Sequence, residues 1–202
     1  LIGGCARLAP EPPPSADDAG PPGFPAAHYR EAAARGVVVY EVDPAASLVV
    51  AEVRRGGSLA RFGHDHVVAS RTVRGFMSPA QGRGDFYLPV AGLEVDDPAL
   101  RDEARLDSRP SASDVAGTRS NMQEFVLESE RHPFVLVHVD GADPAAEHTS
   151  IALSLRGVTR RIDAATRIQR EGDRILVTGR AAIDQTAFGI VPFAILGGAI
   201  AV

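Results

Sequence analysis

In the run RFGHDHVV (residues 61–68), His64 and His66 flank Asp65, just after Gly63 and just before an apolar stretch. On a strand the two imidazoles project from one face and the carboxylate from the other. Two imidazoles at that spacing can share a zinc or copper ion. A third ligand is then needed, and His132, His138 and Asp43 are candidates by residue type alone. A second reading makes His64, Asp65 and His66 a polar rim: Gly63 turns the chain, Asp65 bonds to backbone amides, and the histidines hydrogen-bond the polar head of a ligand whose tail lies below. Nucleophilic catalysis has less behind it. Ser58 and Ser70 are close in sequence, but no Gly-x-Ser-x-Gly turn presents a nucleophile. The expectation is a protein that is not an enzyme, in which GHDH is secondary to whatever the surrounding fold encloses.

The single cysteine, Cys5, excludes an internal disulfide and a thiolate zinc set. Its neighbours Ile2, Gly3 and Gly4 resemble the bacterial lipobox, where small residues let a peptidase grip extended backbone ahead of the cysteine that becomes lipidated. Residues 1–5 are accordingly expected to be a signal-peptide remnant with its lipobox, placing the protein in the periplasm or cell envelope as a membrane-anchored lipoprotein. Several acyl chains on one cysteine would anchor it firmly, where one chain binds only marginally.

Those groups must be positioned by a chain of 202 residues, enough for one domain with a sizeable core. The net charge of -5 is mild, and the positive charges are all arginine, scattered along the sequence. Nucleic acid is therefore not an expected partner. Tryptophan is absent, so an apolar interior must come largely from Val, Ile, Leu and Ala. No apolar stretch reaches the roughly 18 residues of a membrane-spanning helix.

Residues 6–25 are rich in Pro, Ala, Asp and Gly without apolar periodicity and read as a tether, and a short helix over residues 26–35, ended by Gly36, follows, so that 6–36 are tether and short helix. From residue 37 the pattern becomes strand-like. In SLVVAEVRR, Val49, Ala51 and Val53 share one face and Glu52 and Arg54 the other. Further strands are expected over 67–76, 85–90, 134–139, 149–155, 161–169 and 174–184, with residues 170–173 as a hairpin loop. Between 97 and 130 the spacing turns helical: Asp97 opens one short helix with Pro98 at its first position, and Val115, Met122, Phe125 and Val126 suit the buried stripe of a second. Short strands without βαβ alternation indicate an antiparallel sandwich or barrel.

Four stretches carry a more specific resemblance. SLRGVTRRID (154–163), IDQTAFGI (183–190), SNMQEFVLESERHPFVLVHV (120–139) and VYEVDPAASLVVAEV (39–53) together resemble the YceI family of bacterial lipid- and polyisoprenoid-binding proteins. The resemblance implies an all-β domain over residues 37–202: an eight-stranded, antiparallel, lipocalin-like barrel with a helical insertion and an apolar lumen, a size that can just enclose one small ligand. The family continues past LGGAIAV (196–202) into one more strand, so the last strand is expected to be truncated here, and GHDH is not the family's commonest form at that place.

Matched to the family, Val49, Ala51 and Val53 are expected to face the lumen, with Val135, Val137 and Val139 from another strand and Ile162 and Ala164 opposite. Phe76, Phe86, Phe188, Ile190 and Phe193 would line or close it. The function implied is binding, sequestration or transport of a long-chain isoprenoid lipid, quinone or fatty-acyl ligand, with no cofactor beyond that lipid and with a homodimer left open. The alternative is a metal- or redox-linked periplasmic protein using His64 and His66.

Overall fold

The computed structural model describes residues 20–55, 64–191, 194–195 and 200–201. Its main sheet is antiparallel and seven-stranded, made of β1 (Tyr40–Glu41), β4 (Arg74–Ser78), β5 (Arg83–Pro89), β7 (Phe134–Val139), β8 (His148–Leu155), β9 (Val158–Glu171) and β10 (Arg174–Arg180), adjacent in that order. A three-stranded sheet joins β2 (Val49–Val53) to β3 (His66–Ser70) and β3 to β6 (Glu94–Val95). Two short strands, β11 (Ala194–Ile195) and β12 (Ile200–Ala201), pair with each other. The β9–β10 hairpin turns where the sequence indicates, with Arg174 opposite Glu171 and Gly172 at φ +65°.

Strand alternation gives the main sheet two distinct faces. On β5, Gly84 and Phe86 point one way and Asp85 and Tyr87 the other. The ladder carries this sideways, with Phe86 opposite Val137 and Val137 opposite Leu153, while Asp85 lies opposite His138. The sheet curls until residues of β4, β5, β7, β8, β9 and β10 line one interior, a nearly closed antiparallel barrel with a small helical part. The expected barrel is thus present, with seven strands in the main sheet where eight were expected. Residues 67–76, read as one strand, are two strands in different sheets. Ser70 Oγ accepts the Thr72 amide at 3.2 Å and contacts Thr72 Oγ1 at 3.2 Å, a local side-chain turn that competes with the ladder and breaks the strand.

One end of the interior is filled. Leu88, Val90, Leu93, Val95, Met122, Leu127, Leu153, Phe188 and Ile190 form the larger buried cluster, and at about 1.5–3 kcal/mol for each large apolar side chain such burial dominates the stability. A smaller cluster packs Val67 and Ala69 of β3 against Leu100 and Leu106.

The helical excursion covers these clusters. Asp97 Oδ1 accepts the amides of Ala99 and Leu100 at 2.9 and 3.1 Å, capping α2 (Pro98–Glu103) with Pro98 at its first position. A capping box between Ser111 and Asp114 opens α3 (Ala112–Asn121), which runs into a π turn at Met122–Val126. The wider turn shifts the helical phase. Met122 is buried as expected, but Phe125, expected in the same stripe, is 58% exposed.

The short helix expected over residues 26–35 is present as α1 (Ala26–Ala34) and packs on the outer face of the barrel. In it, Tyr29 and Ala32 lie three apart on one helix face and are both fully buried. The Tyr29 ring stacks on Phe76 with centroids 5.3 Å apart, and Phe24 meets Tyr87 edge-on at 4.8 Å.

Candidate ligand cavity

The unfilled part of the barrel interior is a cavity of about 670 Å³. Met77, Phe86, Val137, Val139, Ile151, Leu153, Ile162, Ala164, Ile168 and Val177 line it from the main sheet, and Leu48, Val49, Val50 and Leu100 complete the wall. Two glycines make room for it. A Cβ on Gly75 would meet Phe86 Cδ1 at 2.9 Å, and one on Gly84 would meet Phe86 Cε2 at 2.8 Å. With hydrogen at both positions, the Phe86 ring packs closely against the backbone at Gly75 of β4 and Gly84 of β5. The polar lining comprises Glu52, Glu103 and Arg180 together with Thr149 and Thr166, whose hydroxyl oxygens are 2.7 Å apart.

Of the residues expected to face the lumen, Val49, Phe86, Val137, Val139, Ile162 and Ala164 line the cavity. Ala51 and Val53 do not. Val49 at the start of β2 lines the cavity, but farther along the strand Val50 and Glu52 face it, and because side chains alternate, Ala51 and Val53 lie on the other face. The charge on Glu52 suggests an outward position, but its carboxylate is paired there with Arg54. Phe76 also faces away, sandwiched between the barrel and α1 by its contacts with Tyr29 and Phe24. Val135, Phe188 and Ile190 belong to the apolar packing of the filled end, where Phe188 is 1% exposed. Phe193 and Cys5 lie outside the described residues.

His64, Asp65 and His66 are not part of the cavity wall. His66 Nδ1 lies 2.6 Å from Asp96 Oδ2, while Asp96 Oδ1 accepts the Val67 amide at 3.0 Å and a bond from Arg101 Nη1. Arg101, 2% exposed, donates further to the carbonyls of Asp65 at 2.8 Å and Ser108 at 2.6 Å. Asp65 Oδ1 accepts the Arg55 amide at 2.8 Å. The His64 ring stands edge-on to His66 with centroids 6.4 Å apart, and its buried Nδ1 has no hydrogen-bond partner among the described residues. This network ties β3 to β6 and α2. The third-ligand candidates are elsewhere: His138 bonds Asp85 at 2.7 Å, His132 packs against Gly157, and Asp43 caps a short turn through the Ala45 amide at 3.1 Å. Among the described residues, no group of three or more His, Cys, Asp or Glu side chains comes together to hold a metal.

A second polar network, invisible to sequence reading, holds α1. Tyr29 donates its hydroxyl to Asp85 Oδ2 at 2.6 Å, and Arg83 Nε donates to the same oxygen at 3.2 Å. Burial alone would raise the Asp85 carboxyl, but bonds from Tyr29, His138 and Arg83 outweigh it and hold the group below the usual carboxylate range. Alternation along β5 places Asp85 opposite in facing to Phe86, and only the docking of a helix 56 residues away in sequence shows what it serves.

A curled antiparallel sheet around an apolar cavity defines a small ligand-enclosing β-barrel. The sequence pattern described as the YceI-like domain matches residues 40–201. The chain belongs to the YceI-like family. Among solved structures it is similar to a polyisoprenoid binding domain from Saccharophagus degradans implicated in plant cell wall breakdown, at 14% identity over 76% of this chain and 78% of that one, with a TM-score of 0.46. No curated protein matches the chain.

Proposed function

We propose that this protein binds a long, largely apolar lipid of the polyisoprenoid or fatty-acyl class in the barrel cavity, sequestering or carrying it in the bacterial cell envelope while a lipidated Cys5 holds the chain to the membrane. The observation that carries the reading is where the apolar surface is left open. Leu48, Val49, Val50, Val177 and Ile183 are each between 42% and 48% exposed, and all five line the cavity. Apolar surface gathered around one concavity marks a binding site, and covering it is worth about 25 cal/mol per Å². The volume falls within the roughly 300–1,000 Å³ of small-molecule sites.

The lining described is apolar apart from two threonines and three charged residues, with neither histidine nor cysteine. That composition suits holding a long apolar chain. Because the chain has no tryptophan, Ile168→Trp would give a single reporter in the cavity wall. A polyprenol titrated into that variant should shift its emission to the blue and saturate, and Ala164→Phe added to it should abolish the response. Emission unmoved by polyprenol and by fatty alcohols alike would overturn the reading.

A further inference from the structure

We infer that Thr149 and Thr166 form the polar subsite of the cavity, donating one hydrogen bond to a neutral oxygen acceptor, such as an ester or ketone carbonyl, at the end of an otherwise apolar ligand. The inference rests on the cavity being the lipid site. Thr149 on β8 and Thr166 on β9 both line the cavity, and their Oγ1 atoms are 2.7 Å apart. Two hydroxyls bring two protons, and the contact between them uses one. The other has no partner among the described residues. Either hydroxyl can donate to the other, so the spare proton sits on Thr149, 9% exposed, or on the half-buried Thr166. Both line the cavity, where an unmade hydrogen bond is costly.

The outer face provides the contrast. Ser154 and Thr159 make the same kind of pair at 2.6 Å, but in an exposed position, where water takes the spare proton. Beside Thr166 on the inner face sits Gly179, its register partner on β10. A Cβ there would touch Thr166 Cγ2 at 3.5 Å, so the glycine leaves the space next to the hydroxyl pair open for a ligand atom. The charges lining the cavity are Glu52, Glu103 and Arg180. With Glu52 paired to Arg54, Glu103 and Arg180 balance each other, so the lining has no excess positive charge for an anionic head and a neutral acceptor suits it better.

The test uses the delipidated full chain and competition against a fluorescent fatty probe, with a long-chain methyl ester, an alkane of the same length and a monoalkyl phosphate as competitors. The ester should compete roughly five- to tenfold better than the alkane, the factor a single net hydrogen bond makes. The double variant Thr149→Val with Thr166→Val should lose that preference while keeping its affinity for the alkane, and Thr149→Ser, which restores a hydroxyl, should retain it. Equal binding of ester and alkane by the wild-type chain, or a preference that survives in the double variant, would overturn the subsite and leave the lipid cavity standing. Tightest binding of the phosphate, lost in Arg180→Gln, would overturn it in favour of an anion site. If no competitor displaces the probe, the lipid-cavity reading falls and the subsite with it.

Discussion

His66 Nδ1 and Asp96 Oδ2 lie 2.6 Å apart in the interior, joining residues 30 positions distant in the sequence. The bond gives the GHDH run a structural role. With Arg101 on the other carboxylate oxygen, it fastens the small sheet to the helical insertion. Asp96 adopts φ +56° to make it, a conformation that Asn also tolerates but most side chains do not.

Acid stability should follow from that pair. Burial alone would raise the Asp96 carboxyl, but bonds from His66, the Val67 amide and Arg101 hold it below the usual carboxylate range. A carboxylate depressed in the folded state stabilises above its unfolded value of about 3.9, and the contribution is lost as the pH falls toward the folded value. Asp96→Asn should cost about 3–5 kcal/mol at neutral pH, because it leaves Arg101 buried without its counter-charge. It should also flatten the loss of stability below about pH 4. Urea midpoints across the acid range measure both effects; parallel curves for the two proteins would contradict the assignment.

Helix α1 should depend on one hydroxyl. Burial and the neighbouring Asp85 carboxylate push the Tyr29 hydroxyl above its ordinary value, which favours the protonated donor. Tyr29→Phe should lower stability by about 1–3 kcal/mol, the cost of leaving a buried acceptor short of a partner. Hydrogen exchange over residues 26–36 should quicken more than in β7 or β8. Exchange that rises evenly through the barrel would count against a specific clamp.

The ring of Phe86 should be movable by a single methyl group. In Gly84→Ala the new Cβ would stand 2.8 Å from Cε2 and 2.9 Å from Cζ of Phe86, so the ring must swing off the wall into the cavity. Because a side chain can give way where backbone cannot, stability should fall by only about 1–3 kcal/mol. Polyprenol binding should weaken by roughly tenfold, equivalent to about 1.4 kcal/mol of lost contact. Unchanged affinity would mean that Phe86 does not bound the occupied space. Gly75 is no substitute for this test, since a Cβ there would stand 2.2 Å from the Asp85 carbonyl.

Arg156 should act as a clasp on the filled end of the barrel. Its guanidinium donates to Glu128 Oε1, just past the π turn, and to the Gly189 carbonyl beside Phe188 and Ile190. The bond from Arg156 holds the Glu128 carboxyl below its usual range. Arg156→Asn keeps the φ +50° conformation accessible while removing both bonds. Exchange should then rise over residues 122–128 and 185–190 with the strands little changed. Protection retained in both segments would show that apolar packing alone holds this end.

Much of the barrel is legible from alternation. Val137 and Val139 share a strand face with an obvious period of two, and the Gly172 turn marks its hairpin. The facing of β2 is not, because VVAEV is apolar on both faces except at Glu52, and an ion pair with Arg54 lets that charge sit at the cavity. The division of residues 67–76 depends on two hydroxyls 3.2 Å apart, a local bond that leaves no mark on the hydrophobic pattern. The role of His66 hinges on Asp96 and that of Asp85 on Tyr29, pairings fixed by tertiary docking across long stretches of chain. Phe188 and Ile190 are legible as buried, but whether a buried side chain fills a barrel or lines its cavity depends on depth along the axis, which alternation does not encode.

The central claim is that the cavity holds lipid, and native mass spectrometry tests it most directly. The full chain would be expressed into a bacterial periplasm, weighed intact, and extracted with organic solvent for identification of what leaves it. The account predicts a population heavier by one prenyl or acyl chain, reduced to the bare mass on extraction and depleted in Ala164→Phe. A wild-type protein that carries only its own mass, and gains none when offered polyprenol or fatty-acyl ligands, would contradict it.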